Sequence, residues 1–171
     1  MSAFHFNVIP ECYADTLLVN LIGIQKPNHT VNSNLGAVLK TVSSKKPGAR
    51  VVGIIDSDKG KSERLLKNFE FIAEEYGIKK YQSSEKTILI LCPAFEKWVY
   101  HVAKHEDVGI LPEKFGFDTE KMFRKACKNI EAKNNQNLRQ FFNALKQKQA
   151  PGLLKLQEWI IEGAGITDII L

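Results

Sequence analysis

Apolar and polar positions follow two rhythms along this chain. Phe4, Phe6 and Val8 alternate with His5 and Asn7, a period of two that predicts a strand over 4–9, ended by Pro10 and Glu11. The period becomes helical over 13–24, where Leu17, Leu18, Leu21 and Ile22 share a face. It is helical again over 34–42, through Leu35, Val38, Leu39 and Val42. Pro27 and Asn28 separate these helices, and Lys45-Lys46-Pro47-Gly48 makes a turn. Val51-Val52-Gly53-Ile54-Ile55 is a nearly continuous apolar run bounded by turn residues, as expected of a strand buried on both faces of a parallel sheet. Ser62 is a good N-cap, so a helix is predicted from there to about residue 76, with Gly77 as its stop. A short strand over 79–82, a buried strand over 87–91 and a helix from 94 to about 106, opened by Pro93, follow.

After Pro112 the pattern changes. Residues 121–130, 137–145 and 153–161 all show helical periodicity with no strand among them. The prediction is an α/β fold: a mostly parallel sheet flanked by helices over 1–111, then an all-helical extension over 112–171 packed on it. Phe141, Phe142, Trp98 and Trp159 fall where core residues belong.

Composition narrows the classes. The chain has 171 residues and 44% hydrophobic content, enough for a buried core and too apolar for wholesale disorder. No apolar run approaches the roughly 20 residues of a spanning helix, and no apolar leader follows Met1, so a cytoplasmic protein with no membrane partner is expected. Cys12, Cys92 and Cys127 are widely spaced and form no Cys-x-x-Cys pair, which fits a reducing compartment. The net charge is only +5, but 121–148 holds eight basic residues against one acid, Glu131. Lys121, Lys125 and Lys128 share one face of a predicted helix, with Arg124 beside them, and Phe123, Cys127 and Ile130 share the other. That stripe is either an ordinary solvated face or a surface that tracks phosphates.

Candidate chemistry lies in the acids. Glu11 follows the first strand, Asp56 and Asp58 follow the strand 51–55, and Glu96 opens the helix after the strand 87–91. If these strands are parallel neighbours, all four carboxylates stand at the carboxyl edge of one sheet, where open α/β sheets place ligands. Oxygen donors in that number suit Mg²⁺ or Mn²⁺ and not zinc. Asp and Gly after a strand are also ordinary turn formers, and that bland reading stands beside the metal reading.

The ordered set resembles the Toprim domain. Glu11 and Asp15 have the spacing of that family's first motif, and Val51 to Gly60, with Asp56-Ser57-Asp58 inside, resembles its second. Cys92-Pro93-Ala94-Phe95-Glu96-Lys97-Trp98 is similar to a Pro-x-x-Glu-x-Trp element of Toprim-like nucleases of the overcoming-lysogenization-defect and restriction-linked groups. The resemblance spans 4–106. Cys12 stands where a glycine commonly follows the Glu, and Lys59 follows the second Asp. What the resemblance implies is a Toprim/Rossmann-like sheet and metal-dependent phosphodiester chemistry on nucleic acid, nuclease-like in a chain of this length. Glu11 would be a metal ligand or general acid/base, Asp56 and Asp58 would bind Mg²⁺ or Mn²⁺, and Glu96 would be a further ligand. Lys59, Lys61, Lys121, Arg124, Lys125 and Lys128 are the candidate nucleic-acid contacts. A homodimer and a partner ATPase are compatible with such a protein.

Two other readings remain open. One is a non-catalytic Toprim-like module that binds nucleic acid or protein. The other is a different Asp-x-Asp metal enzyme, a phosphatase or glycosyltransferase, ranked lower because Lys59 and Gly60 stand where haloacid dehalogenase-type phosphatases place Thr or Val. Gly53 to Ser62 imitates a nucleotide-binding loop, but six residues separate its glycines where that motif has four. His101 and His105 lie on one helix face and read as solvated side chains, since Val102 stands where a zinc-helix motif has its Glu.

Overall fold

The computed structural model describes residues 7–25, 27–28, 34–105 and 108–167, with the Lys59 side chain excepted. Phe4 and Phe6 of the first expected strand lie outside the described residues. Five strands form one sheet: β1 (Val8–Pro10), β2 (Val51–Asp56), β3 (Glu70–Glu75), β4 (Ile78–Ser83) and β5 (Lys86–Leu91), in the order β1-β2-β5-β4-β3. The pairs β1–β2 and β2–β5 are parallel, and β5–β4 and β4–β3 are antiparallel. The sheet is therefore mixed, where the sequence predicts a mostly parallel one.

The difference arises at one place. The helix expected from Ser62 to residue 76 is reduced to the single turn α3 (Lys61–Arg64), and its second half is β3. Tyr76 and Gly77, with φ of 49° and 73°, form a two-residue hairpin turn. Positive φ at both central positions matches the twist of the flanking strands, so Gly77 begins a hairpin and does not stop a helix. Glu74 pairs with Lys79 across the ladder, an opposite-charge pair that favours this register.

Four helices match their expected places closely: α1 (Tyr13–Leu21), α2 (Leu35–Ser44), α4 (Phe95–Lys104) and α5 (Glu120–Cys127). So do α6 (Gln136–Gln147) and α7 (Pro151–Ala164), with no strand among the described residues after Pro112. The α2 helix covers one face of the sheet over Val51, Ile55, Ile88 and Ile90. It comes close because residue 53 is glycine. A Cβ there would lie 2.8 Å from Ile88 Cδ1 and 2.9 Å from Val38 Cγ1.

The other face carries α1, α4 and the later helices in one continuous core. Aromatic rings tie it together: Phe95 at the start of α4 meets Phe142 at 6.1 Å, and Phe123 meets Phe141 at 5.3 Å, both nearly edge to face. Phe141, Phe142, Trp98 and Trp159 are buried, as their positions predict. No described helix is long and apolar enough to cross a membrane.

Candidate functional site

In parallel βα architecture the carboxyl ends of strands meet the N-termini of helices. Those N-termini present unpaired N–H groups and a partial positive charge, so carboxylates are stabilised there. The described residues show this arrangement around β1 and β2. Glu11, just past β1, accepts a hydrogen bond at Oε2 from the Asp56 N–H at 3.0 Å, and the Leu35 N–H that opens α2 also favours its carboxylate. Asp56, the last residue of β2, accepts at Oδ1 from the Phe95 N–H at 2.8 Å. The N-cap of α4 is Ala94, which has no side-chain acceptor, so Asp56 supplies the cap from another strand.

Asp15 holds the Glu11 loop in place. Its carboxyl accepts from the Glu11 N–H at 3.1 Å and the Cys12 N–H at 2.8 Å, and the Cys12 sulfur accepts in turn from the Asp15 N–H at 3.5 Å. This is a capping box with sulfur in the usual hydroxyl's place. Cys12 is thus a helix cap. Ser62 is buried and its hydroxyl donates to the Asp56 carbonyl, closing the loop after β2; the N-cap of α3 is Gly60.

The electrostatics follow from this crowding. Burial pushes Asp56 up from 3.8 to about 7, Glu11 and Glu96 push the same way, and the Phe95 N–H and Lys128 oppose them. Burial also raises Glu11, with Asp58 and Glu96 adding to it and the N–H groups of Asp56 and Leu35 opposing. Asp15 is raised well above its ordinary range by burial and then by Asp56. Burial raises the Cys127 thiol too, and Glu96, Asp15 and Asp56 contribute, which places that residue beside the same acids.

Glu96 is buried, and its Oε1 lies 3.5 Å from Lys128 Nζ. Lys128 is the C-cap of α5, where the helix dipole also favours a cation. Asp58 differs from the other acids. It is exposed, has φ of 41°, and pairs with Lys61 at 3.4 Å. The structure therefore brings Glu11, Asp56 and Glu96 into electrostatic reach of one another and adds Asp15 and Lys128. Asp58 acts on Glu11 from the loop above. Lys121, Arg124 and Lys125 are exposed along α5 and lead to Lys128. The Lys59 side chain lies outside the described residues.

Asp15 and Lys128 hold roles here that their residue types alone do not announce. The spacing of four from Glu11 signals Asp15. Nothing local signals that Lys128 faces Glu96, because the contact joins residues 32 positions apart.

The donor set suits a hard divalent cation: carboxylate oxygens, mutually repelling, with Asp56 balanced between its protonated and ionised forms. The spacing is not that of a closed cage. Among the described residues no three His, Cys, Asp or Glu side chains surround a single point. Glu11 and Asp56 would be the residues to hold such an ion, with Asp58 or Glu96, each facing a lysine, as a further ligand. Without an ion, Asp56 itself can take up or release a proton near neutral pH. No family model, curated protein or solved structure matches the chain, so the site is read from its own geometry.

Proposed function

We propose that this acidic edge is a Toprim-like centre that binds Mg²⁺ or Mn²⁺ and acts on phosphodiester bonds of nucleic acid, in the manner of a nuclease. One observation carries the reading: Glu11 and Asp56 end adjacent parallel strands, are joined by a 3.0 Å hydrogen bond, and are both driven toward protonation. Carboxylates held together at such cost are a common mark of a functional site. The parallel strands β1, β2 and β5, with α2 and α4 on opposite faces, support a Toprim/Rossmann-like arrangement of the acids.

In this reading Glu11 and Asp56 hold the ion, and Asp58 and Glu96 join them. A bound divalent cation supplies neutralisation of phosphate oxygens and a more acidic water. Asp56, with its value near neutrality, can hold or release a proton under working conditions, and Glu11 is its partner. Lys121, Arg124 and Lys125 would guide a phosphate backbone along α5 toward Lys128 and the acids.

One observation favours a non-catalytic module instead. Asp56 already accepts from the N-terminus of α4, Glu11 already gains from the N–H that opens α2, and Asp58 and Glu96 already face lysines. Thermal unfolding with Mg²⁺ or Mn²⁺, paired with cleavage of single- and double-stranded DNA and RNA, separates the two. The nuclease reading expects the metal to raise the midpoint of the wild type but not of Asp56→Asn, and expects cleavage to vanish in that variant. No metal response and no cleavage in the wild type leaves the non-catalytic module.

A further inference from the structure

A cleft of about 200 Å³ opens on the same sheet edge as the acids. The Tyr76–Gly77 turn forms one wall, Trp98, His101 and Val102 of α4 form the other, and Gly152 of α7 closes the end. The walls are fixed in place. Trp98 is 2% exposed, and its Nε1 donates to the Tyr76 carbonyl at 2.8 Å. The Tyr76 side is open, with the residue 51% exposed, and His101 is exposed at the rim.

The cleft lies close to the acids. Cys92, also on its wall, donates its N–H to the Gly77 carbonyl at 2.9 Å. It directly follows Leu91, which faces Asp56 in the β2–β5 register. One strand spacing and one residue rise place the Cys92 backbone roughly 6 Å from that of Asp56. The volume is below the roughly 300 Å³ at which drug-sized pockets begin, so it suits one planar ring and not a helix or an extended peptide. The apolar wall and the exposed Tyr76 ring match the face of a heteroaromatic ring. The exposed His101 imidazole at the rim can pair with its polar edge.

We infer that this cleft takes one nucleobase of a single strand whose phosphodiester lies at the acids, an inference that rests on the phosphodiester reading above. Stacking against the exposed Tyr76 ring, over a floor in which Trp98 is buried, holds any of the bases, so selection is for an unpaired base and not for sequence. The acids then receive a backbone whose position is set by a base and by the α5 lysines together.

The test needs no turnover. A short fluorescent single-stranded oligonucleotide, and a series carrying one abasic residue at each position in turn, are titrated in EDTA. The abasic residue at one position should weaken binding by about 5- to 150-fold, the range for one stacked base. Tyr76→Asn, which tolerates the positive φ, should lose a similar factor on the intact strand, and Tyr76→Phe should restore it. Trp98 emission, read in a Trp159→Phe background, should change with the intact strand.

Binding that is indifferent to every abasic position overturns the base cleft and leaves the acidic centre standing. An unchanged Tyr76→Asn affinity overturns it too, as does an absence of single-strand binding. Base-sensitive binding without metal-dependent cleavage supports the cleft and removes the nuclease reading. Because the abasic series alters only the ligand, a misfolded variant cannot imitate the result.

Discussion

Asp56→Asn should make the protein more stable above neutral pH and less sensitive to metal. Asn is close in shape to Asp and keeps an oxygen for the Phe95 N–H, which Asp56 now bonds at 2.8 Å. What it removes is the charge. Asp56 has a value of about 7 in the fold against 3.8 ordinarily, chiefly because burial disfavours the carboxylate and Glu11 repels it. Above about pH 7 the folded and unfolded chains both carry it ionised, and the fold bears the full cost. Below about pH 4 both carry it protonated and the cost vanishes. Its contribution to stability therefore falls as pH rises between those limits.

The shift corresponds to about 4 kcal/mol, and residual solvent contact lowers this to about 2–4 kcal/mol. That is a large part of a typical stability of about 5–15 kcal/mol. Urea unfolding of wild type and variant in EDTA, from about pH 4 to about pH 8, measures the difference directly. The two should be nearly equal at the acid end and separate as pH rises, with the variant ahead. Saturating Mg²⁺ should then close the gap by stabilising only the wild type, by about 2.7 kcal/mol at a hundredfold excess over Kd. A difference that stays flat across the range, or a variant less stable at about pH 8, would refute the claim that Asp56 ionises against its surroundings.

Three further outcomes follow from particular contacts. Asp15→Ala leaves the Glu11 and Cys12 N–H groups without their acceptor and should cost about 2–4 kcal/mol in urea unfolding, with Asp15→Asn costing less because one acceptor survives. Gly53→Ala places a methyl 2.8 Å from Ile88 Cδ1 and 2.9 Å from Val38 Cγ1, so thermal unfolding should show a loss of about 1–3 kcal/mol as α2 is pushed off the sheet. Thiol labelling of the native protein should modify Cys92 before Cys127, because Cys92 is partly exposed and Cys127 is buried beside acids that oppose its thiolate; equal rates would contradict the packing of α5 against α4.

The parts that were readable from sequence are those set by local pattern. The buried run ending at Ile55 places Asp56 at a strand end whatever the rest of the chain does. The helical periodicity after Pro112 needs no knowledge of the sheet. The failure over 62–76 has a physical cause. Leu65, Leu66, Phe69 and Ile72 are spaced as in a helix, while Phe69 and Phe71 alternate with Glu70 as in a strand. The tie is broken by the Tyr76–Gly77 turn and by cross-strand partners on β4, and only the turn is visible locally. The same limit applies to the site. Glu11 and Asp56 could be expected to meet once β1 and β2 were taken as parallel neighbours. The approach of Lys128 to Glu96 depends on how α5 packs against α4, and periodicity does not reveal that.

The two readings of the acids can be separated by considering what each substitution keeps. Glu11 reaches the start of α2, and Asp56 reaches the start of α4. Neither helix directly follows the strand that carries its acid, so the contacts stitch neighbouring βα units together. A cap needs only an acceptor oxygen; a metal centre needs negative charge. Asp56→Ala removes both and should lose roughly 1 kcal/mol of capping energy even at acid pH, where the charge penalty is absent. Asp56→Asn keeps the acceptor and removes the charge.

If the acids were caps and nothing more, Asn would match or exceed the wild type at every pH, with or without metal. The chain would then carry a charge penalty that a neutral residue avoids. A charge maintained against a cost of that size is explained if the ionised form does something the amide cannot. The decisive comparison is therefore Asp56→Asn against Asp56→Ala, each with and without Mn²⁺. A metal response absent from both variants but present in the wild type assigns the charge to cation binding. The same small response in all three proteins assigns it to ionic strength alone, and the acids revert to stitching the sheet to its helices.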